Sequence, residues 1–265
     1  MDTQYGTVVR TEQLARRLVR LVLGGDGLTG FVSTGFTDQY VNALFIPEGA
    51  SYTAPFDVDE AKAGDHPPKG RRETVRRWNA DVGELTLDIV THGDEGYAGR
   101  FANHAVEGDR LQVTGPSGGY APRSDADWHL LVGDESALPA IAASLDAMPT
   151  GSRALAVVVV DGHDDRITLD SPAYLDLVWV HRDDHPGDPD LLLRAVEDLV
   201  FPSGAPHAFV HGEAGEVRAI RKHLLGDRGV PHEGQSISPY WRRQHTDEQW
   251  RKVKRDWLAE AESDV

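Results

Sequence analysis

Apolar residues follow two different rhythms along this chain, and the switch between them constrains the fold more than any other feature. Up to about residue 124 the rhythm is that of half-buried strands. Leu85, Leu87 and Ile89 alternate with Thr86 and Asp88, the period of two that turns one face to a core and the other to water. Leu111 and Val113 repeat that alternation. Leu18, Val19, Leu21, Val22 and Leu23 run into the turn signal Gly24-Gly25, and the β-rich segment 40–46 stops at Pro47. Residues 57–70, with Gly64, Pro67 and Pro68, read as a polar excursion. No helical period is sustained, so residues 1–124 read as an antiparallel β-barrel or sandwich.

Beyond about residue 126 the apolar runs lose their alternation. Segments 128–132, 155–160, 178–180 and 208–210 are short and mostly apolar throughout, as in strands buried on both faces. Helical stretches at 137–148, 191–200 and 216–225 separate some of them. Strand–helix alternation of this kind implies a parallel sheet with helices on its faces. Thr246 reads as an N-cap, Asp247 and Glu248 as a first turn, and a C-terminal helix is expected to about Ala261. The expected domains are therefore 1–124 and 125–265, each long enough to close its own core.

Composition excludes several classes of function. Asp and Glu number 43 against 27 Lys and Arg, a net charge of −16, which opposes nonspecific binding to nucleic acid or to an anionic membrane. There is no cysteine, which removes disulfides, thiolate nucleophiles, iron–sulfur clusters and cysteine zinc sites. The longest apolar run, 154–160, is far short of the roughly 20 residues that cross a bilayer. The first residues show no basic segment followed by an apolar one. A cytoplasmic, monomeric protein without membrane insertion is expected.

Five segments are candidates for chemistry. Gly25-Asp26-Gly27-Leu28-Thr29-Gly30 matches G-x-G-x-x-G, but Phe31-Val32-Ser33-Thr34-Gly35 does not open the helix that a phosphate fingerprint needs. His181 and His185 have metal-ligand spacing only if helical, and Pro186-Gly187 favours a loop; no metal is expected. Residues 69–78 carry five basic side chains and one acid, either a strand edge blunted by charge or a phosphate cradle of arginine forks. Residues 133–139 and 208–216 each join a buried strand to a helix. Such turns form the carboxyl edge of a parallel sheet, where ligands bind.

The order of these pieces resembles the siderophore-interacting protein family, flavin-dependent ferric-siderophore reductases related to ferredoxin-NADP reductase. The carrying segments are Thr37–Val41 before Leu44-Phe45, Arg71 to Arg76, His92-Gly93, Gly96 to Phe101, Gly115-Pro116, Gly133 to Pro139, Trp179 to Arg182, Gly212 to Gly215 and Tyr240-Trp241-Arg242. The resemblance spans about residues 9–243. It implies an FAD-binding β-barrel, an NAD(P)H-binding α/β domain and a ferric siderophore as substrate.

The resemblance also assigns residues. Arg71 is expected to meet the flavin pyrophosphate and Thr74 to approach flavin N5, the one catalytic position; Arg72 and Glu73 complete that segment. Glu73 stands where the family has an aromatic ring on the flavin, and Asn42 where it often has a siderophore-binding Lys. Gly96, Ala98, Gly99 and Phe101 are expected to cradle phosphate through backbone amides, with Asp88, His92 and Thr114 as further flavin contacts. Asp134, Glu135 and Ser136 are expected near the nicotinamide half of NAD(P)H, His181 and Arg182 near its adenosine half, and Glu213 on the second strand edge. Arg243, Lys252 and Lys254 are the candidates for receiving the siderophore. Two readings with the same fold stand beside this one: a siderophore carrier flavoprotein without efficient reductase activity, and a generic NAD(P)H:flavin reductase.

Overall fold

The computed structural model describes residues 3–264 and separates into two compact units at Gly119/Tyr120. The first is a closed antiparallel barrel in the order β1-β2-β5-β4-β3-β6. Its strands are β1 Thr3–Ala15, β2 Leu18–Gly24, β3 Tyr40–Phe45, β4 Lys69–Asn79, β5 Glu84–Val90 and β6 Arg110–Ser117. The alternation read in β5 puts Leu85, Leu87 and Ile89 into the core with Leu21, Leu23, Val41 and Val113. Closure leaves no open sheet edge, which removes the usual route to strand-to-strand aggregation.

Two helices correct the all-strand reading of this half. Helix α1, Val58–Ala63, lies inside the expected polar excursion, because Asp57 caps it by accepting from the Asp59 and Glu60 amides. Helix α2, Tyr97–His104, plugs the barrel, with Tyr97, Ala98 and Phe101 packed on the core and Phe101 5.7 Å from the Phe45 ring. The Gly25–Gly30 segment forms only a single 3-10 turn, Asp26–Leu28, as a loop should.

The second unit is a parallel sheet of five strands, β7 Trp128–Gly133, β8 Arg153–Val160, β9 Tyr174–His181, β10 Pro206–Glu213 and β11 Ser236–Trp241. Their order is β11-β10-β7-β8-β9. The central strands β7 and β10 are buried along their whole length, as unbroken apolar runs predict. Strand β11 was not foreseen. The helices are α3 Leu138–Asp146, α4 Leu191–Glu197, α5 Ala214–Lys222 and α6 Asp247–Glu262. Thr246 caps α6 as expected: its hydroxyl accepts from the Gln249 amide while the Gln249 side chain returns to the Thr246 amide. Trp250, Trp257 and Ala261 form the buried face of α6.

Candidate functional site

The barrel site is built on β3, β4 and β6. In the β3–β4 ladder Tyr40 faces Thr74, Val41 faces Glu73, Asn42 faces Arg72 and Ala43 faces Arg71. Directly paired residues share a face of the sheet, and Val41 and Ala43 are core residues. Arg71 and Glu73 therefore lie on the core-side face, whereas Arg72 and Thr74 lie on the outer face with Tyr40 and Asn42. Thr114, paired with Asn42 on β6, joins the outer group. The Arg72 guanidinium lies over the Tyr40 ring at 5.4 Å, and that of Arg71 over Tyr97 at 5.6 Å. Arg71 is thus brought to the first residue of α2.

Helix α2 begins with Gly96 at φ 73° and no side-chain cap. Its first amides are left for a ligand, and a helix N-terminus of this kind favours an anion. Nothing lies within 4 Å of where a Gly96 side chain would start, so the approach is open. An open pocket of about 610 Å³ adjoins it, lined by Lys69, Arg100, Gly96 and Tyr97 and by three carboxylates, Glu48, Asp65 and Asp94, with Glu48 3.7 Å from Arg100. The uncapped α2 amides with Arg71 and Lys69 fit the phosphates of a dinucleotide such as FAD, while Tyr40, Thr74 and Thr114, outside that pocket, share the outer sheet face. Tyr97 and Arg100 were not among the expected site residues because α2 itself was not expected, whereas Lys69 opens the basic segment 69–78 read as a phosphate cradle. Gly99 is buried against the Thr91 and His92 backbone, and His92 is exposed. Asp88 is buried and bound by Arg20 through 2.7 and 2.8 Å hydrogen bonds, with Arg76 at 3.9 Å, which joins β2, β4 and β5.

The second site lies at the carboxyl edge of the parallel sheet. From β7 the chain proceeds through α3 to β8 on one side, and from β10 through α5 to β11 on the other. The β7/β10 gap is therefore the point where connections diverge, the place where open α/β sheets bind ligands. Asp134, Glu135, Ser136 and Glu213 all stand there. Asp134 is fully buried; one oxygen accepts from the Ser136 amide at 2.9 Å and hydroxyl at 2.5 Å, the other from Trp241 Nε1 at 2.7 Å. Gly212, at φ 143°, is required because a Cβ would sit 2.7 Å from the Asp134 carboxylate.

The remaining acids at this edge are also paired. Glu135 meets Arg182 at 2.5 Å, and Arg182 reaches Asp161 at 3.0 Å. Burial pushes the Glu135 and Glu216 carboxyls above their usual range, against the pull of Arg182 and Arg243. Glu213 caps α5 through the Gly215 and Glu216 amides and accepts from the Arg243 amide at 3.1 Å. Arg243 in turn pairs with Glu216. Lys254 donates to the Pro239 carbonyl at 2.6 Å, tying α6 to β11, while Lys252 is exposed. Sequence reasoning found the acids but missed Trp241 and Asp161.

His181 lies at the end of β9, stacked on His163 with ring centres 3.9 Å apart, and Asp184 contacts both rings at 3.2 and 3.3 Å. His163, His181 and Asp184 are grouped closely enough to offer three ligand atoms to a metal ion. Stacked rings, however, have no common point on their in-plane lone pairs. Arg166 moreover donates to the outer nitrogens of both rings at 2.7 and 2.9 Å, which assigns their own hydrogens to the nitrogens facing Asp184. The group is a closed hydrogen-bond network in this arrangement. Burial lowers the His181 pKa. No helix of the described residues is long and apolar enough to cross a membrane.

Comparison with known proteins assigns both units to one family. The family model for the siderophore-interacting FAD-binding domain matches residues 7–120, and that for siderophore-interacting protein matches residues 126–244. An uncharacterized protein of Mycobacterium tuberculosis (strain ATCC 25618 / H37Rv) is 41% identical over 97% of this chain and 95% of its own. Ferric vibriobactin reductase ViuB of Vibrio cholerae serotype O1 is 33% identical over 93% of this chain and 92% of its own. The crystal structure of the siderophore-interacting protein SipS from Aeromonas hydrophila superposes with a TM-score of 0.81 at 26% identity, covering 97% of this chain and 98% of that one.

Proposed function

The chain belongs to the siderophore-interacting protein family, and from that premise we propose that it is an FAD-dependent reductase of ferric siderophores that draws its electrons from NAD(P)H. The observation that carries this reading is the uncapped start of α2 beside Arg71, on the strand that also carries Thr74 paired with Tyr40. The α2 amides and Arg71 bind the flavin pyrophosphate, since guanidinium and oriented N–H groups both match phosphate oxygens. Thr74 offers its hydroxyl to the ring edge, and Arg72 holds Tyr40 in place by a cation–π contact. When bound, FAD accepts electrons in pairs and gives them singly, which a nicotinamide donor and ferric iron together require.

At the sheet edge Asp134 and Glu213 shape the nucleotide-binding turns by holding the Ser136, Trp241 and α5 donors, and a ribose hydroxyl would reach Asp134 only by displacing Trp241. Arg182 is the cation there for a nucleotide phosphate, and Asp161 and Glu135 fix its guanidinium. On the substrate side, Arg243, Lys252 and Lys254 receive the siderophore. Oxygen-donor siderophores hold hard Fe³⁺ more firmly than Fe²⁺, so reduction loosens the iron.

The experiment is anaerobic titration of the purified protein with NADPH and with NADH, followed by a ferric siderophore. A yellow protein bleached by either nucleotide and reoxidised by the siderophore supports the reading. A yellow protein that neither nucleotide bleaches identifies the carrier flavoprotein instead. Reoxidation by free ferric chelates as fast as by siderophores identifies the generic reductase.

A further inference from the structure

The chain passes from β7 through α3 to β8 and on to β9, while β10 and β11 lie on the other side of β7. This is the order of a dinucleotide-binding sheet, in which a carboxylate beyond the second strand of the first half accepts from the adenosine ribose. That second strand is β8, and Asp161 directly follows its last residue, Val160. Asp134 and Glu213 are closed off by burial and by their own donors. The Asp161 side chain is 20% exposed, and a carboxylate accepts at about four positions, so a ribose hydroxyl can reach it.

The charges around Asp161 discriminate between riboses. NADH carries a 2′-hydroxyl, a hydrogen-bond donor, where NADPH carries a phosphate of nearly two negative charges. Arg182, the cation paired with Asp161, directs the same Nη1 at Glu135. Arg166 directs Nε and Nη2 at the His181 and His163 rings, and Asp184 stands against both rings. Burial lowers the His181 pKa, so that ring brings no charge at neutral pH. Asp183 joins the group through its amide, which donates to the Asp161 carbonyl at 2.8 Å. Glu135, Asp161, Asp183 and Asp184 thus outnumber Arg166 and Arg182. A further phosphate there meets net repulsion, whereas a hydroxyl meets an acceptor.

We infer that the donor site selects NADH over NADPH, and that Asp161 is the residue that sets this specificity by accepting from the adenosine 2′-hydroxyl. Arg182, held by two carboxylates, is left for a phosphate that both nucleotides carry. This selectivity presupposes that the sheet edge is the donor site, as proposed above, and names the donor it takes.

The test is calorimetric titration of the full-length, FAD-loaded protein with tetrahydro-NADH and tetrahydro-NADPH, analogues that keep the charges of the two donors but cannot release a hydride. The NADH analogue is expected to bind more tightly by about tenfold or more, the worth of one charge-assisted hydrogen bond. Steady-state kcat/KM with NADH and NADPH is expected to follow the same order. Asp161→Asn is expected to lower the binding ratio by about tenfold, because it removes a charge that opposes the 2′-phosphate and loosens the hold on Arg182. The wild-type ratio decides the donor even if Asp161→Asn does not fold. Equal binding of the two analogues, or tighter binding of the NADPH analogue, would overturn the selectivity and leave the donor site standing. An unchanged ratio in Asp161→Asn would remove Asp161 from the ribose. Binding of neither analogue to the wild type would remove the donor site itself, and the selectivity with it.

Discussion

Mild acid is expected to destabilise the α/β unit through histidines that its fold holds neutral. His129, His207 and His211 are all buried, on the neighbouring strands β7 and β10. Their rings belong to one aromatic series: His129 lies 5.9 Å from His207, His207 stacks on Tyr120 at 4.6 Å, and His211 lies 4.1 Å from Phe209. Both ring nitrogens of His129 lack a hydrogen-bond partner. Burial, with the charges of His207 and Arg123 adding to it, pushes the His129 pKa down to about 4. Burial pushes His211 down to about 3, and lowers His207 as well.

Each of these side chains gains its proton more readily in the unfolded chain, near pH 6.5. Between pH 6.5 and 4 unfolding therefore takes up a proton at His129, and stability falls as pH falls. The loss approaches about 1.4 kcal/mol per pH unit for each such group, so His129 alone removes about 2 kcal/mol between pH 7 and 5. The assay is urea unfolding at both pH values, wild type against His129→Phe, followed by tryptophan fluorescence. Five of the six tryptophans lie in the second unit, Trp78 being the exception, so the signal reports the unit in question. The variant is expected to lose about 2 kcal/mol less than the wild type over that interval. Equal losses would mean that His129 is not held neutral, and the reasoning would fail.

Three further outcomes are expected. Arg71→Ala should weaken FAD binding by about 1.5–3 kcal/mol, roughly one to two decades in dissociation constant; an unchanged constant in a flavin fluorescence titration removes Arg71 from the site. Gly212→Ala should destabilise the second unit by about 1–3 kcal/mol, because it combines a strained backbone with a Cβ against Asp134; an unaltered melting temperature contradicts the close approach. A ferric hydroxamate without net charge should be reduced faster than a trianionic tris-catecholate at low salt, since a protein of net charge −16 repels the latter. A tris-catecholate preference that collapses as ionic strength rises would show that Arg243, Lys252 and their neighbours outweigh the net charge.

The sequence carried the layers of this fold better than their joints. Alternation in β5 and unbroken apolar runs in β7 and β10 are direct imprints of half-buried and fully buried sheet, so both architectures were legible. Helix α2 was not, because its eight residues make barely two turns and follow the positive-φ glycines 93 and 96. Strand β11 was hidden for another reason: it contains Pro239 and buries little besides it, so it shows no apolar period. These two elements matter beyond their size. The first supplies the amides and Tyr97 of the barrel site; the second delivers Trp241 to Asp134.

The same contrast explains the candidate sites. Asp134, Glu135 and Glu213 were readable because each stands at the carboxyl end of a buried strand. Their partners arrive from far along the chain, Trp241 lying 107 residues from Asp134, and no local pattern announces such a pairing. Those partners change the chemistry inferred from the acids. With Asp134, Glu135, Asp161, Glu213 and Glu216 gathered around Arg182 and Arg243, the edge has an excess of carboxylate over guanidinium, and it opposes a pyrophosphate while suiting hydroxyl donors. A nucleotide bound there must be gripped by its riboses and by Arg182, and it must compete with Trp241 for Asp134. If the edge takes a nicotinamide donor as proposed, its affinity would depend as much on how firmly α6 and Lys254 hold β11 as on the acids that line the edge.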